Sequence, residues 1–187
     1  MTLYEMKKKV LGLIEELNPD SEFLTDDPDI ATKINEVINQ VTFELARFKR
    51  IPKYAEMPVK AGDLIDFSDL EGEIGYEVYQ ITLVEGVDHA IKADGTVIRI
   101  LENGKAEISC YVYPERITEK TKDKAYEFDL SPDVLEIMPY GVAADLLKSD
   151  ISAEYGSVYG TRYESMLQRL DSRYQTAYIT VEGGVSV

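Results

Sequence analysis

The middle of the chain contains the stretch Asp94-Gly95-Thr96-Val97-Ile98-Arg99-Ile100-Leu101-Glu102-Asn103-Gly104. Its two ends, Asp-Gly and Asn-Gly, are dipeptides that favour tight turns between antiparallel strands. The residues between them are mainly β-branched or apolar, which is typical of a strand. The segment Lys105 to Tyr113 alternates apolar and polar side chains, and Val78 to Val84 is a short apolar run. These segments predict an antiparallel meander with one buried face, and Ala125 to Leu130 is predicted as its last strand.

Helical patterns precede the strands. Apolar residues recur at helical spacing from Leu3 to Leu17 and again from Ile30 to Phe48. Asp27-Pro28-Asp29 is a start signal for the second helix, because Asp27 can cap it and proline suits its first position. Basic residues mark the end of this helix, as the helix dipole favours, at Arg47, Lys49 and Arg50.

Helical patterns also follow the strands. Ser131-Pro132-Asp133 is a second start signal of the same design. We expect Pro139 to kink or restart the helix after its first turn. A bend is expected around Tyr155-Gly156, and a last helix is predicted from about Val158 to Tyr174.

This order of elements predicts an α+β fold. We expect a discontinuous helical bundle, with two N-terminal and two C-terminal helices, that carries an inserted antiparallel β domain. The bundle is predicted to comprise residues 1–52 and 130–176, the β insert residues 53–129, and a C-terminal tail residues 177–187. Since none of these helices can bury its apolar stripe alone, the two halves are expected to complete one core. An insert in a helix–helix connection costs little loop-closure entropy when its ends lie close together.

The composition is that of an acidic globular protein. The 187 residues are 44% hydrophobic and 29% charged, with a formal net charge of -15. This charge argues against intrinsic affinity for nucleic acid or anionic membranes, which need clustered lysine and arginine. We interpret it as a solvated acidic surface; the alternative is a surface that repels a polyanion or meets a basic partner. No segment resembles a signal peptide or a membrane span, so the cytosol is the expected compartment.

The sequence contains no recognisable catalytic, cofactor or metal site, and we predict a protein that is not an enzyme. His89 is the only histidine and Cys110 the only cysteine, which excludes an internal disulfide and the usual zinc sites. His89 is interpreted as structural or exposed, and Cys110 as a small buried side chain. Acidic groups at 20–29 and 63–69 lack the glycine and terminal glutamate of a calcium-binding loop. Paired carboxylates for glycoside hydrolysis stay open, although the absence of tryptophan makes a sugar-binding platform less favoured.

Tyrosines and arginines are the candidate contact residues. The chain has 13 tyrosines and no tryptophan. Many tyrosines fall near the C-terminus: Tyr140, Tyr155, Tyr159, Tyr163, Tyr174 and Tyr178. Tyrosine suits both the edge of a core and an interface. Arg162, Arg169 and Arg173 share one side of the last helix, which is either a solvated face or the place where the acidic face of a neighbouring subunit docks.

A proline–tyrosine step follows a helical turn in the segment Leu135-Glu136-Ile137-Met138-Pro139-Tyr140-Gly141-Val142-Ala143-Ala144-Asp145-Leu146-Leu147. With the Val-Ala-Ala-x-Leu-Leu that comes after it, this segment resembles the head-to-tail connector (adaptor) proteins of tailed bacteriophages and prophages. The pattern Tyr159-x-x-x-Tyr163-Glu164-x-Met166-Leu167-x-x-Leu170 is similar to their last bundle helix, and Ile34-Asn35-Glu36-Val37-Ile38-Asn39 fits their N-terminal helix pair. The resemblance covers the helical portions. The β insert is similar in layout to connectors whose bundle carries an extra β domain.

The resemblance implies a structural subunit without catalysis or cofactors. Connector subunits form a ring beneath the portal, extend the DNA channel and provide the platform for the tail. The implied partners are the portal protein, neighbouring copies in the ring and a tail or stopper protein, with no membrane. DNA would pass through the channel without specific binding, and an acidic lining would keep its phosphates from sticking. The implied location is the head–tail joint of the virion, after assembly in the cytoplasm of the bacterial host.

The tail is predicted to bind a partner. It could add a strand to the portal or to a neighbouring subunit, and the alternative is a frayed terminus. The residues of this strand are Tyr178, Ile179, Thr180, Val181 and Val185. Two other functions stay open at this point. One is another virion or tail-completion component, and the other is a small-molecule or glycan-binding module, including an enzyme that uses carboxylates only.

Overall fold

The computed structural model describes residues 1–92, 94–148 and 153–174, with the backbone alone at 153 and 171–174. The fold is α+β, as predicted. Its helices are α1 (Leu3–Leu13), α2 (Pro28–Phe48), α3 (Phe67–Ile74), α4 (Pro132–Leu147) and α5 (Ala153–Tyr174). Its strands are β1 (Ile51–Val59), β2 (Leu64–Ile65), β3 (Val78–Glu85), β4 (His89–Ile91), β5 (Ile98–Ile100) and β6 (Gly104–Val112). In the described part of the chain, no helix has both the length and the apolar character needed to cross a bilayer.

The strands form two antiparallel sheets of three strands each. The first sheet has the order β1-β6-β3, and the second has the order β2-β5-β4. Asp94-Gly95 lies in the turn from β4 to β5 within the second sheet, whereas Asn103-Gly104 leads from the second sheet into the first. The prediction of one meander is therefore wrong, because strands β5 and β6 are consecutive in sequence and belong to different sheets.

The chain divides into two compact units. We call the first the sheet unit, and it comprises Met1–Leu3 and Ile38–Leu130. We call the second the helical unit, and it comprises Tyr4–Val37 and the residues from Ser131 onward. Helix α2 thus supplies its first part to the helical unit and its second part to the sheet unit. This division does not test whether the four predicted helices form one bundle, so the bundle stays a prediction.

The sheet unit has one hydrophobic core shared by both sheets and α3. Ile98 and Ile100 of β5 and Leu70 of α3 are each 0% exposed within it. Four residues of β6 are buried in the same core, namely Ala106, Ile108, Cys110 and Val112. This alternation along β6 is the one that the sequence predicts, because successive side chains of a strand point to opposite faces.

The segment that follows β6 is fixed by one side chain of α2. Asn39, which is 3% exposed, donates from Nδ2 to the carbonyl oxygen of Ile117 and accepts at Oδ1 from its N–H, both at 2.8 Å. Two backbone groups are thereby paired away from water. The strand predicted at Ala125 to Leu130 is wrong: in the described chain this stretch makes one bridge, between Thr2 and Glu127.

Helix ends in the helical unit follow the capping signals only in part. Asp27 caps α2 as predicted, since its Oδ1 accepts from the N–H of Asp29 at 2.8 Å and of Ile30 at 3.2 Å. Ser131 occupies the cap position of α4, but its hydroxyl makes no capping hydrogen bond among the described residues.

Three predicted helix boundaries are wrong. Helix α1 ends at Leu13 and does not continue to Leu17. Helix α4 is one helix through Pro139, so of the predicted kink or restart the restart is wrong. Nine of its residues are buried, and this burial offsets the hydrogen bond that proline removes. Helix α5 begins at Ala153, earlier than the predicted Val158, so Tyr155 and Gly156 lie inside it.

Candidate functional site

Close packing of α4 against α5 positions the first candidate surface. A Cβ at Gly156 would lie 3.2 Å from the Cβ of Leu147 and 3.3 Å from the carbonyl oxygen of Ala144. A Cβ at Gly160, one turn further, would lie 3.8 Å from the Cβ of Ala144. Gly156 therefore lets the two helices approach closely, whereas the contact at Gly160 is an ordinary van der Waals distance.

The opposite side of α5 forms an open groove of about 590 Å³. Tyr163 and Leu170 are buried on the packed side, whereas Val158 on the groove side is 64% exposed. We call this surface the α5 groove, and it is lined by Ser157, Val158, Thr161, Arg162, Ser165, Met166 and Arg169. Apolar, hydroxyl and guanidinium groups thus share one helix face, and no carboxylate lines the groove in the described part of the chain.

Two of the predicted arginines lie together in this groove. Arg162 and Arg169 both line it, as the prediction that they share one side of the helix requires. The guanidinium carbon of Arg162 lies 4.4 Å from the centroid of the Tyr140 ring, which orients that side chain. The other predicted contact side chains lie outside the described residues, and these are Arg173, Tyr178, Ile179, Thr180, Val181 and Val185.

A second groove, of about 660 Å³, lies in the sheet unit. We call it the tyrosine groove, and it is lined by Gln40, Phe43, Glu44, Arg47, Phe48, Glu77, Tyr113 and Arg116. Helix α2 supplies one wall, and the segment after β6 together with Glu77 supplies another. Two arginines and two glutamates share the groove, so their charges offset each other.

Guanidinium groups stack on the aromatic rings of the tyrosine groove. Arg47 lies 5.3 Å from the centroid of the Tyr113 ring, and its Nε donates a hydrogen bond to the Tyr113 hydroxyl oxygen. Arg116 lies 5.0 Å from the centroid of the Phe43 ring. Each such cation–π contact stabilises the arrangement by about 0.5–1 kcal/mol at an exposed site. The arginines are therefore held in place before any partner arrives.

A row of rings continues from this groove along the first sheet. The Phe43 and Tyr113 centroids are 5.4 Å apart, those of Tyr113 and Tyr79 4.7 Å, and those of Tyr79 and Tyr111 6.3 Å. Arg50 covers the far end, 5.0 Å from the Tyr111 centroid. Burial raises the pKa of Tyr79, and the nearby Arg50 opposes that rise. Tyr79 is consequently a neutral hydrogen-bonding group at ordinary pH.

The sequence did not predict the tyrosine groove. Arg47 and Arg50 served there only as signals for the end of α2, and Tyr111 and Tyr113 only as the polar side of a strand. The available signal was the equal parity of Tyr111 on β6 and Tyr113 just after it, which places both rings on one face. Nothing in the sequence placed the end of α2 next to that face.

The residues considered for chemistry have structural roles. Asp66 and Asp69 form a reciprocal capping box at the start of α3, and Asp63 accepts from the N–H of Lys60 at 2.8 Å. His89 lies in β4 with its Nδ1 3.1 Å from the Val87 carbonyl oxygen. Within the described residues, no group of three or more His, Cys, Asp or Glu is arranged to hold a metal ion.

The two grooves have the chemistry of recognition surfaces. Guanidinium groups bind carboxylates, and open apolar walls accept aromatic or aliphatic side chains. No protein-family model matches the chain, and a search of curated proteins finds no significant match.

Proposed function

We propose that this chain is a structural subunit of a phage or prophage head–tail connector. The subunits form a ring under the portal, extend the DNA channel and provide the platform to which the tail attaches. The observation that carries this proposal is the paired arrangement of α4 and α5. The two segments that resemble connector proteins, 135–147 and 159–170, lie in these helices and pack against each other.

Charge supports the same proposal. A protein with a formal net charge of -15 repels its own copies at long range. A ring therefore needs local surfaces at which the charge reverses, and the α5 groove offers Arg162 and Arg169. The remaining acidic surface disfavours phosphate binding, which suits a channel that DNA crosses without being held.

The partners follow from the proposed place in the particle. They are the portal protein on one side, neighbouring copies within the ring, and a tail or stopper protein on the other side. The location is the head–tail joint of the virion. The proposed role involves no catalysis and no cofactor.

The decisive test is electron microscopy of particles from a host in which this gene is disrupted. We expect filled or emptied heads lying beside separate, unattached tails, because the joint between them is missing. Complementation with the intact gene should restore complete particles. Intact, infectious particles from the disrupted host would overturn the proposal.

The predicted tail contact has its own test. We expect a chain that lacks residues 177–187 to join particles poorly while its thermal unfolding stays the same as that of the full chain. Particle assembly at full efficiency by the shortened chain would contradict a role for the tail and leave the rest of the proposal intact.

The tyrosine groove favours a second candidate function, the binding of a small molecule. Its volume of about 660 Å³ falls within the range of small-ligand sites, and its rings and arginines suit a planar acidic compound. A ligand of this kind should raise the Tm of the isolated chain, and above its Kd the stabilisation should grow with the logarithm of its concentration. Arg116→Ala should weaken that stabilisation. A broad screen without any Tm shift would remove this alternative.

A further inference from the structure

A short loop between α1 and α2 presents an exposed phenylalanine. Phe23 is 61% exposed, whereas the next residue, Leu24, is only 5% exposed. Leu24 has a backbone φ of 63°, a left-handed conformation that is costly for a residue with a Cβ. The loop accepts this cost because it buries the Leu24 side chain while Phe23 stays in solvent.

Hydrogen bonds close the loop on itself. Asn18 donates from its backbone N–H to the Leu24 carbonyl oxygen at 2.8 Å and from Nδ2 to Asp26 Oδ2 at 2.6 Å. The Ser21 hydroxyl donates to the Thr25 carbonyl oxygen at 2.8 Å. We call residues 18–27 the Phe23 loop. Because the loop is already ordered, little conformational entropy remains to be lost when Phe23 meets a partner.

Acidic side chains share the loop with the exposed ring. Asp20, Glu22 and Asp26 are all exposed, and residues 18–27 contain no lysine or arginine. The loop therefore combines one exposed apolar ring with three exposed carboxylates. A fitting binding surface has an apolar floor and cationic edges.

The α5 groove has this complementary composition. Val158 and Met166 supply apolar surface, Arg162 and Arg169 supply two guanidinium groups, and small hydroxyl residues leave room between them. A groove of about 590 Å³ has space for a phenyl ring. Carboxylates of the loop would meet the arginines at the edges, where bidentate pairing is available.

We propose that the α5 groove of one copy binds the Phe23 loop of the next copy, with the Phe23 ring between Val158 and Met166. This inference rests on the proposed function, in which copies lie side by side in a ring. The α5 groove and the Phe23 loop are the two surfaces that join neighbouring copies. Such a contact joins two different patches, so it is heterologous, and contacts of this type generate a ring when the rotation between neighbouring copies closes.

The groove that receives Phe23 belongs to another copy. In its own copy the Phe23 side chain is mostly in solvent and does not line the α5 groove. The Phe23 ring of each copy is therefore available to the α5 groove of another copy. Both surfaces are filled when copies associate head to tail.

Disulfide trapping in particles tests the contact directly. The variant carries Glu22→Cys and Ser165→Cys, two exposed positions on the loop and the groove. Mild oxidation of complemented particles should give a ladder of covalently linked multimers on a denaturing gel. Each single-cysteine variant is the control and should give dimers at most, because the native Cys110 is buried.

Exchanging the charges of Glu22 and Arg169 tests the same contact through the titre of infectious particles. We expect Glu22→Lys and Arg169→Glu each to lower the titre of infectious particles by about tenfold or more, because like charges then face each other. The double variant should recover most of the loss. Glu119→Lys, an equal charge change at an exposed site outside both surfaces, should leave the titre unchanged.

The outcomes separate this inference from the proposed function. Complete particles that contain the double-cysteine variant but yield no ladder would overturn the inference and leave the connector role in place. Single charge reversals without effect, or a double variant that shows no recovery, would overturn it too. Intact particles after gene disruption would instead remove the connector role itself.

Discussion

The two grooves are built from similar side chains and differ in how their charges are balanced. In the tyrosine groove, Glu44 and Glu77 line the same surface as Arg47 and Arg116. In the α5 groove, Arg162 and Arg169 line the surface, and no carboxylate does so in the described part of the chain. An internally balanced groove gains little charge attraction from a partner. An arginine count alone therefore does not describe the charge of a groove, because the carboxylates that line the same surface contribute as well.

The grooves also differ in what holds their walls. The tyrosine groove depends on a buried hydrogen-bond pair and on ring stacking, whereas the α5 groove depends on close helix packing at Gly156. Each kind of support predicts a different sensitivity to mutation. The following experiments test this difference, from the largest expected effect to the smallest.

Asn39→Ala should cause the largest loss, because it leaves the N–H and carbonyl of Ile117 buried without their partner. We expect the free energy of unfolding to fall by about 2–4 kcal/mol. Chemical denaturation followed by circular dichroism measures this loss. Asn103→Ala is the matched control, since Asn103 accepts one hydrogen bond from Ala61 at an exposed site. Equal effects of the two variants would contradict the structural role of Asn39.

Gly156→Val should weaken the helix junction beneath the α5 groove. The added side chain meets Leu147 and the Ala144 backbone, and we expect a loss of about 2 kcal/mol in the free energy of unfolding. Gly12→Val is the control, because no atom lies within 4 Å of a Cβ built there. If both variants unfold like the natural chain, close packing at Gly156 does not support the groove.

Replacing one arginine in each groove by alanine compares how much the two grooves contribute to particle formation. We expect Arg169→Ala to lower the titre of infectious particles by about tenfold, because the α5 groove loses a charge that meets the neighbouring copy. Arg116→Ala in the tyrosine groove should change the titre by less than about twofold. Thermal unfolding of both variants checks that the fold is retained. A larger effect from Arg116 would reverse the functional ranking of the grooves.

The smallest effect concerns the alkaline stability of the sheet unit. Burial, with a smaller contribution from the charge of Glu115, raises the pKa of Tyr126 from 10.0 to about 12. Its hydroxyl donates to the Glu115 carbonyl oxygen at 2.6 Å. The neutral hydroxyl stabilises the folded state below pH 10, and this contribution is lost as the pH rises from 10 to about 12.

Tyr126→Phe should therefore show a shallower decline of stability between pH 10 and 12. Denaturation midpoints measured across this range give the slope. Tyr54→Phe is the control, because Tyr54 is 77% exposed and gains little from folding. Parallel slopes for the natural chain and Tyr126→Phe would contradict the assignment.

The sequence allowed prediction of the elements whose signals are local. Asp27 caps α2 because the signal lies within three residues of its effect. Arg162 and Arg169 share a groove because a spacing of seven residues returns to the same side of a helix. The buried face of β6 follows from simple alternation.

Strand β1 and helix α3 were missed for different reasons. Strand β1 contains Pro52 and Pro58, which argue against a strand, but β1 is an edge strand and can leave a proline nitrogen unpaired. Helix α3 has the capping box of Asp66 and Asp69 and a left-handed Gly75 at its end. These signals were available, yet the aspartates were considered only as an acidic group. The strand β1 was therefore missed because its position in the sheet overrides a local preference, whereas α3 was missed although its local signals were consistent.

Long-range pairing could not be predicted. The assignment of β5 and β6 to different sheets depends on the shared core, to which Ile98 and Ile108 both contribute. The tyrosine groove joins Arg47 to Tyr113, 66 positions apart. No periodic pattern connects residues at such a separation, so the structure was needed to show this surface.

The single cysteine has a practical consequence for measuring local unfolding. Cys110 lies in the central strand of the first sheet and is 1% exposed, and burial raises the pKa of its thiol. Since thiol reagents attack the exposed thiolate, modification under native conditions requires β6 to open. The rate of that reaction reports how often the sheet opens. The natural sequence thus contains its own kinetic reporter of sheet opening.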